Sequence, residues 1–152
     1  MIRRRALILL LLFTAGCASV TPAQLRAHPD GVYSFKTSMD YRSAYEKTLF
    51  HARTCFDKAN SGDTVRVRSE VFPEHKRASI SIVKLHAIGD NTLMTMDFSQ
   101  SDEKTSAIDV YYAQHRFRSA AELVEDWVTK DSNECRTSSM VLDCVCFLTT
   151  VR

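Results

Sequence analysis

The chain has 152 residues, of which 45% are hydrophobic and 25% are charged, a composition typical of a globular protein with one core. Its formal net charge is +2, but three of the 20 Lys and Arg residues stand at positions 3 to 5, so 17 basic residues face 18 acidic ones in the remainder. This balance excludes the clustered positive charge of a nucleic-acid-binding surface. The three glycines after residue 17 stand alone at predicted turns, which excludes Gly-rich phosphate loops and nucleophile elbows.

The first seventeen residues have the pattern of an export signal. Arg3, Arg4 and Arg5 form a positive segment, and an apolar run from Ala6 to Phe13 follows it. A membrane-spanning helix needs about 20 apolar residues, so this run is too short to be one. Small residues then lead directly to Cys17.

Thr14-Ala15-Gly16-Cys17 resembles the lipobox of a bacterial lipoprotein signal. The resemblance implies cleavage before Cys17, a diacylglycerol thioether on its sulfur and an acyl chain such as palmitate on its new amine. Several acyl chains, at about 0.8 kcal/mol per buried methylene, hold a protein on a bilayer permanently. Ala18, in place of Asp, implies sorting to the outer membrane, with the domain on the periplasmic face.

We predict four segments from these patterns. Residues 1–17 are the lipoprotein signal peptide, and residues 18–31 are a flexible tether because two prolines interrupt a polar stretch without an apolar period. Residues 32–135 form a single domain. Residues 136–152 are a C-terminal extension, either an added edge strand around Met140 to Phe147 or a loosely held tail.

The predicted elements begin with an alternating strand at Val32 to Thr37. Ser38 or Asp40 is suitably placed to cap a helix whose apolar stripe extends from Tyr41 to Phe56. Four alternating strands follow, and Ser119-Ala-Ala-Glu122 predicts a capping box at the start of a second helix, which contains Trp127. The apolar positions of the four strands are Val65, Val67 and Val71; Ala78, Ile80 and Ile82; Met94, Met96 and Phe98; and Ile108, Val110 and Tyr112.

This order predicts an α+β fold, an antiparallel sheet with two helices packed on one face in the order β-α-β-β-β-β-α. Amphipathic helices and a one-faced sheet can hide their apolar sides only against each other. The order is similar to the TBP-like (TATA-binding-protein-like) or helix-grip arrangement, which also occurs in domains of an outer-membrane assembly lipoprotein. Element order alone says little about function.

The other side of the predicted sheet is polar and forms a possible partner face. Carboxylates beside a phenol are also a pattern for acid-base catalysis, although a solvated face with cross-strand ion pairs is the commoner meaning. The residues of this face are Arg66, Arg68, Glu70, Asp97, Asp109 and Tyr111.

Metal or redox chemistry has little support in the sequence. His51 and Cys55 share one helix face at the spacing of two metal ligands, but no ordered pattern supplies the remaining ligands of a zinc site. Cys144-Val-Cys146 is a lone C-x-C pair. We therefore expect no metal and no cofactor apart from the covalent lipid on Cys17.

Three short patterns resemble those of small proteobacterial outer-membrane lipoproteins of uncharacterised function: Tyr41-x-x-Ala44-Tyr45, Ala52-Arg53-x-Cys55, and Leu123-x-x-x-Trp127 ahead of Cys135. The resemblance implies a Cys55–Cys135 disulfide and brings no catalytic residue. Such a bridge would confer about 4 kcal/mol in the chain-entropy model, and two buried free thiols are the alternative. The state of Cys144 and Cys146 stays open.

These observations predict a membrane-anchored periplasmic lipoprotein that is not an enzyme and acts by binding, as an accessory or adaptor in the cell envelope. Its expected partners are the outer-membrane bilayer, through the acyl anchor, and an envelope protein; no nucleic acid is expected. The alternative is a module that binds a lipid or another small apolar ligand between the helices and the sheet. An enzyme would require a cleft with strongly shifted titratable groups.

Overall fold

The computed structural model describes residues 19–57, 59–60, 63–87 and 89–135. The predicted signal peptide with Cys17 and the predicted extension with Cys144 and Cys146 lie outside these residues. Within the described part of the chain, no helix has both the length and the apolar character needed to cross a membrane.

One antiparallel sheet of six strands organises the described part of the chain. Its five long strands and two main helices follow the order β-α-β-β-β-β-α, which confirms the predicted fold class. A two-residue strand and a short N-terminal helix are additional. The elements are α1 (Pro22–Ala27), β1 (Gly31–Thr37), α2 (Tyr41–Phe56), β2 (Ala59–Asn60), β3 (Asp63–Phe72), β4 (Arg77–Leu85), β5 (Asn91–Gln100), β6 (Ser106–Tyr112) and α3 (Arg118–Thr129). The strands lie side by side in the order β1-β6-β5-β4-β3-β2.

The two main helices begin in different ways. Asp40 caps α2 by accepting hydrogen bonds from the amides of Arg42 and Ser43, both at 3.0 Å, as predicted. Hydrogen bonds from Ser43 hold the pKa of Asp40 below its usual value. The predicted capping box of α3 is wrong, because a 3-10 turn at residues 115–117 continues directly into the helix and leaves Ser119 inside it. A capping side chain must belong to the non-helical residue at the boundary.

The main core lies between the sheet and helices α2 and α3. The predicted apolar positions of β4, β5 and β6 are all buried in it, from Ala78 to Tyr112. Trp127 of α3 is fully buried, with its ring stacked on His51 at 5.5 Å and edge-on to Phe56 at 6.0 Å. Because both rings come from α2, Trp127 joins the two helices as well as filling the core.

Two polar contacts tie α3 to its surroundings. The indole nitrogen of Trp127 donates to the carbonyl oxygen of Glu134 at 2.9 Å, so this buried N–H is satisfied. The Tyr33 hydroxyl of β1 donates to the Glu125 carboxylate. This hydrogen bond raises the pKa of Tyr33 to about 12. The strand at the sheet edge is thereby joined to the helix above it.

Gly31 permits a close approach at the start of β1. It is the register partner of Tyr112, and a Cβ atom at Gly31 would lie 2.2 Å from the Tyr112 hydroxyl oxygen. Tyr112 is buried, so its ring cannot move aside into solvent. A side chain at position 31 would therefore displace part of the core.

A disulfide joins Cys55 and Cys135 across 80 residues of sequence, with their Cα atoms 5.4 Å apart. This is the pairing that the family resemblance implies. Cys55 is in the last turn of α2, and Cys135 follows α3. The bridge therefore fixes the segment after α3 against the end of α2.

The segment predicted as a flexible tether contains structure instead. Residues 22–27 form α1, and Leu25 in that helix is only 1% exposed. The prediction of a tether over residues 18–31 is therefore wrong for this helix. Pro22 stands at the first helical turn, where its missing amide hydrogen has no cost, so it begins a helix rather than preventing one.

Candidate functional site

The strand register places the predicted partner face on the side of the sheet away from α2 and α3. Glu70, Ser79, Asp97 and Asp109 form one row across four strands. Arg68, Ser81, Thr95 and Tyr111 form the next row, and Arg66 is opposite Val83. All six residues predicted from the alternating pattern therefore share this face.

Helix α1 lies across the middle of that face. Arg26 donates from Nε to Asp97 Oδ2 at 2.6 Å and from Nη2 to Asp97 Oδ1 at 2.7 Å. The same Nη2 reaches Ser79 Oγ at 2.8 Å. A bidentate guanidinium–carboxylate pair fixes both direction and distance, so Arg26 sets the position of α1 on the sheet.

A small second buried layer lies under α1. Leu25 and Val83 are each 1% exposed, yet neither belongs to the main core cluster. Ser81 and Thr95 are also buried there, and their hydroxyl oxygens are 3.2 Å apart. Leu25 and Arg26 of α1 therefore cover this part of the sheet, where the buried strand side chains are Val83 and the hydroxyl-bearing Ser81 and Thr95 rather than a broad apolar surface.

Local sequence explains why α1 forms although it has only six residues. Thr21 and Gln24 make a reciprocal capping box, with Thr21 Oγ1 accepting from the Gln24 amide at 3.2 Å and Gln24 Oε1 accepting from the Thr21 amide at 2.9 Å. Pro22 follows the cap directly. The pattern Thr-Pro-x-Gln was thus a readable signal that sequence reasoning missed.

The carboxylates in this region are arranged unusually. Asp97 and Asp109 are directly opposite each other on neighbouring strands, a placement in which like charges repel. Arg26 neutralises Asp97, and its own pKa is raised by that hydrogen bond. Asp109 accepts a hydrogen bond from Ser34 Oγ at 2.6 Å. The docked helix therefore relieves a repulsion that the sheet alone would contain.

Tyr111 lies beside these charges. Burial raises its pKa, and the nearby carboxylates of Asp109 and Asp97 raise it further. At neutral pH the phenol is therefore protonated and can donate a hydrogen bond. It is not suited to act as a base near pH 7.

A groove of about 530 Å³ opens beside Arg26, toward the end of the sheet where β3 joins β4. Phe72 on its wall is 45% exposed. Glu70 and Arg77 also line it, and neither forms an ion pair with any residue that the structure describes. The lining residues are Arg26, Glu70, Phe72, His75, Arg77, Ala78, Ser79, Asp97, Phe98, Ser99, Asp109 and Tyr111.

The other two residues of the predicted face lie outside this groove. Arg66 pairs with Asp57 at 3.1 Å, and Arg68 pairs with Asp90 at 2.5 Å. The structure therefore divides the six predicted residues: Glu70, Asp97, Asp109 and Tyr111 line one groove, whereas the two arginines are engaged elsewhere.

The groove adjoins an open edge of the sheet. In the described part of the chain, only β2 pairs with the outer side of β3, and only at Asp63 and Thr64. Beyond these pairs the edge extends to Val71 and Phe72, which are 41% and 45% exposed. An unpaired strand edge with exposed apolar side chains is a common place for another chain to add a strand.

The His51 and Cys55 pair has a structural explanation. Cys55 is in the disulfide, and His51 stacks on Trp127. Burial and the neighbouring Lys47 lower the pKa of His51. Among the described residues, no group of three or more His, Cys, Asp or Glu side chains is arranged to hold a metal ion.

A second, more open groove of about 450 Å³ lies on the outer surface of α2. Phe50, one of its lining residues, is 67% exposed. Neither groove lies between the helices and the sheet, where an apolar ligand was predicted as the alternative. The first groove, which has charged and aromatic walls, is the stronger candidate site.

No protein-family model matches the chain, and no curated protein matches it. The geometry of the groove and the sequence of the N-terminal segment therefore carry the functional interpretation.

Proposed function

We propose that this protein is a periplasmic lipoprotein, anchored to the outer membrane through Cys17, that acts by binding another envelope protein in the groove beside Arg26. It works as an accessory or adaptor and catalyses no reaction. The partner contributes an extended segment that pairs with the open edge of β3 and places side chains in the groove.

The observation that carries this proposal is the chemistry of the groove wall. Glu70 and Arg77 provide one negative and one positive charge that form no close ion pair with any described residue, although Glu70 also acts electrostatically on Arg26. Phe72, which lies between them in sequence, provides exposed apolar area. A protein segment can satisfy all three, because it offers both charges, apolar side chains and a backbone for strand pairing. Exposed aromatic residues are also frequent anchors of protein interfaces.

The fixed polar groups of the groove favour recognition over catalysis. Arg26, Asp97 and Ser79 are joined by short hydrogen bonds that hold the three side chains in place. The raised pKa of Tyr111 keeps its phenol protonated. Arg26, Asp97 and Ser79 thus form a hydrogen-bonded wall, which suits the alignment of a partner.

Site-specific photocrosslinking in intact envelopes tests the partner. A photoreactive phenylalanine replaces Phe72 in the groove or, as a matched control, Phe50 on the outer surface of α2, which is 67% exposed. We expect a discrete protein adduct from position 72 that is absent from position 50. The adduct should disappear when Glu70→Arg and Arg77→Glu are introduced.

Identical adducts from both positions, or no adduct from position 72, would contradict the proposed interface. The anchor is tested separately by metabolic labelling with a palmitate analogue. The wild type should incorporate the label and stay with the membrane fraction, whereas Cys17→Ser should do neither. A Cys17→Ser protein that is still labelled would overturn the lipoprotein assignment.

A further inference from the structure

We infer that the anchor also orients the domain, so that the end of the sheet at the turn between β4 and β5 faces the phospholipid head groups and the groove points away from them. The inference rests on the proposed lipidation of Cys17. It goes beyond that proposal because an anchored domain on a flexible tether would have no fixed orientation.

The first described residues are held at this end of the sheet. The Val20 amide donates to Asn91 Oδ1 at 2.9 Å, and the Val20 carbonyl accepts from the Thr92 amide at 2.8 Å. Ser19 lies against the same turn, since a Cβ atom at Gly89 would be 3.1 Å from the Ser19 Cβ. The chain is thus bound to the start of β5 before α1 begins.

Little chain separates this attachment from the lipid. Cys17 precedes Ser19 by two residues, and a fully extended chain spans at most about 3.6 Å per residue. The lipid-bearing cysteine is therefore within about 7 Å of Ser19 in Cα distance. A bilayer that holds the acyl chains of Cys17 must then lie close to the turn between β4 and β5.

The attachment is reinforced further along the chain. Thr21 caps α1, the Leu25 side chain is buried between α1 and the sheet, and Arg26 makes a bidentate pair with Asp97. Movement of the start of β5 away from the bilayer would require this whole segment to detach. The N-terminal segment therefore acts as a strap along the sheet.

The two ends of the sheet are well separated. Strand β5 has ten residues, which at about 3.4 Å per residue corresponds to roughly 34 Å. His86 and Ala87 are exposed at the end near the anchor, and Glu103 and Lys104 are exposed at the opposite end. The groove, with Phe72 and Ser99 on its wall, lies toward the opposite end and so faces the periplasm.

Fluorescence quenching in proteoliposomes tests the orientation. The full-length lipidated protein is reconstituted in phosphatidylethanolamine and phosphatidylglycerol, with a fluorophore attached through a bioorthogonal amino acid at Ala87 or at Lys104. The quencher is carried on a lipid head group. We expect severalfold stronger quenching at position 87 than at position 104.

A variant with ten Gly and Ser residues inserted between Ala18 and Ser19 provides the control. The insert restores a flexible connection of about 18 Å without altering any described residue. The difference between the two positions should then largely disappear while membrane binding persists. A difference of the same size in the insertion variant would contradict the orienting role of the short connection.

Two other outcomes separate this inference from the proposed function. Equal quenching at both positions in the wild type, with the protein firmly bound to vesicles, overturns the orientation and leaves the lipoprotein proposal intact. Vesicle binding that is unchanged by Cys17→Ser overturns the anchor itself, and the orientation fails with it.

Discussion

The two faces of the sheet are covered by helices in contrasting ways. On one face, α2 and α3 bury a continuous apolar core that includes Trp127 and Phe98. On the other face, α1 buries one leucine and is positioned by the Arg26–Asp97 pair. The stabilisation from apolar burial increases with the buried area, so a large shared core tends to unfold as one unit. A single helix held by few contacts can instead detach locally while the rest stays folded.

We therefore expect the two faces to have different roles: one stabilises the fold, and the other holds the N-terminal segment in place. Changes on the face that α2 and α3 cover should reduce the free energy of unfolding of the whole domain. Changes on the α1 face should mainly release the N-terminal segment, with a smaller effect on global stability.

Trp127→Ala should lower the free energy of unfolding by about 3–5 kcal/mol, because it leaves a large cavity and removes the stacking with His51. Urea denaturation followed by circular dichroism measures the change. Trp127→Phe is the matched control, since it keeps an aromatic ring but loses the hydrogen bond to Glu134. If the alanine variant were as stable as the phenylalanine variant, the core between the sheet and helices α2 and α3 would not be the main source of stability.

Removal of the disulfide, by Cys55→Ser with Cys135→Ser, should lower the free energy of unfolding by about 2–4 kcal/mol. The closed loop spans 80 residues, so its loss increases the entropy of the unfolded chain. The same denaturation measurement applies, and the wild type in reducing buffer should match the double variant. An unchanged midpoint in both cases would show that the bridge does not form in the protein.

Leu25→Ala combined with Arg26→Ala should lower the global free energy of unfolding by about 1–3 kcal/mol, less than Trp127→Ala, because α1 can detach while the rest of the domain stays folded. Hydrogen exchange should nevertheless become fast for the amides of α1 and for the Thr92 amide, which donates to Val20. Arg42→Ala is the control, because it removes an ion pair with Glu46 in which the side chains are 70% and 62% exposed. It should leave all these exchange rates unchanged.

The smallest expected effect concerns His51. Its pKa is lowered in the folded state, so the unfolded chain binds more protons once the pH falls below the ordinary histidine value of about 6.5. Stability should therefore be highest above that pH and should decline as the pH falls through the folded-state pKa. His51→Gln should remove this component of the pH profile, which lies at and below the ordinary histidine value. An identical profile in both proteins would contradict the assigned shift.

Most of the main fold was predictable because its signals are local and repeated. The alternation around Ile80, Met96 and Val110 specifies a one-faced sheet, and Asp40 marks the start of α2. The family resemblance supplied the Cys55–Cys135 pairing. The start of α3 was predicted incorrectly because a 3-10 turn joins a helix without a capping side chain, and no sequence pattern announces this.

The candidate site was predictable only as a set of residues on one face. Alternation correctly grouped Glu70, Asp97, Asp109 and Tyr111. It gave no indication that Arg26, which is 71 residues away from Asp97 in sequence, would join them. His75 and Arg77 were also missed as groove residues, because their contribution depends on how the turn between β3 and β4 folds back beside the sheet.

By itself, the sequence determined the apolar and polar faces of the sheet and the order of its elements, because side-chain alternation and helical periodicity are set by the backbone geometry of each element. Tertiary structure alone decided what covers the polar face. A polar segment with two prolines has no periodic pattern that would predict packing. Whether it packs on the sheet depends on a distant carboxylate that pairs with Arg26 and on a small apolar pocket that accepts Leu25.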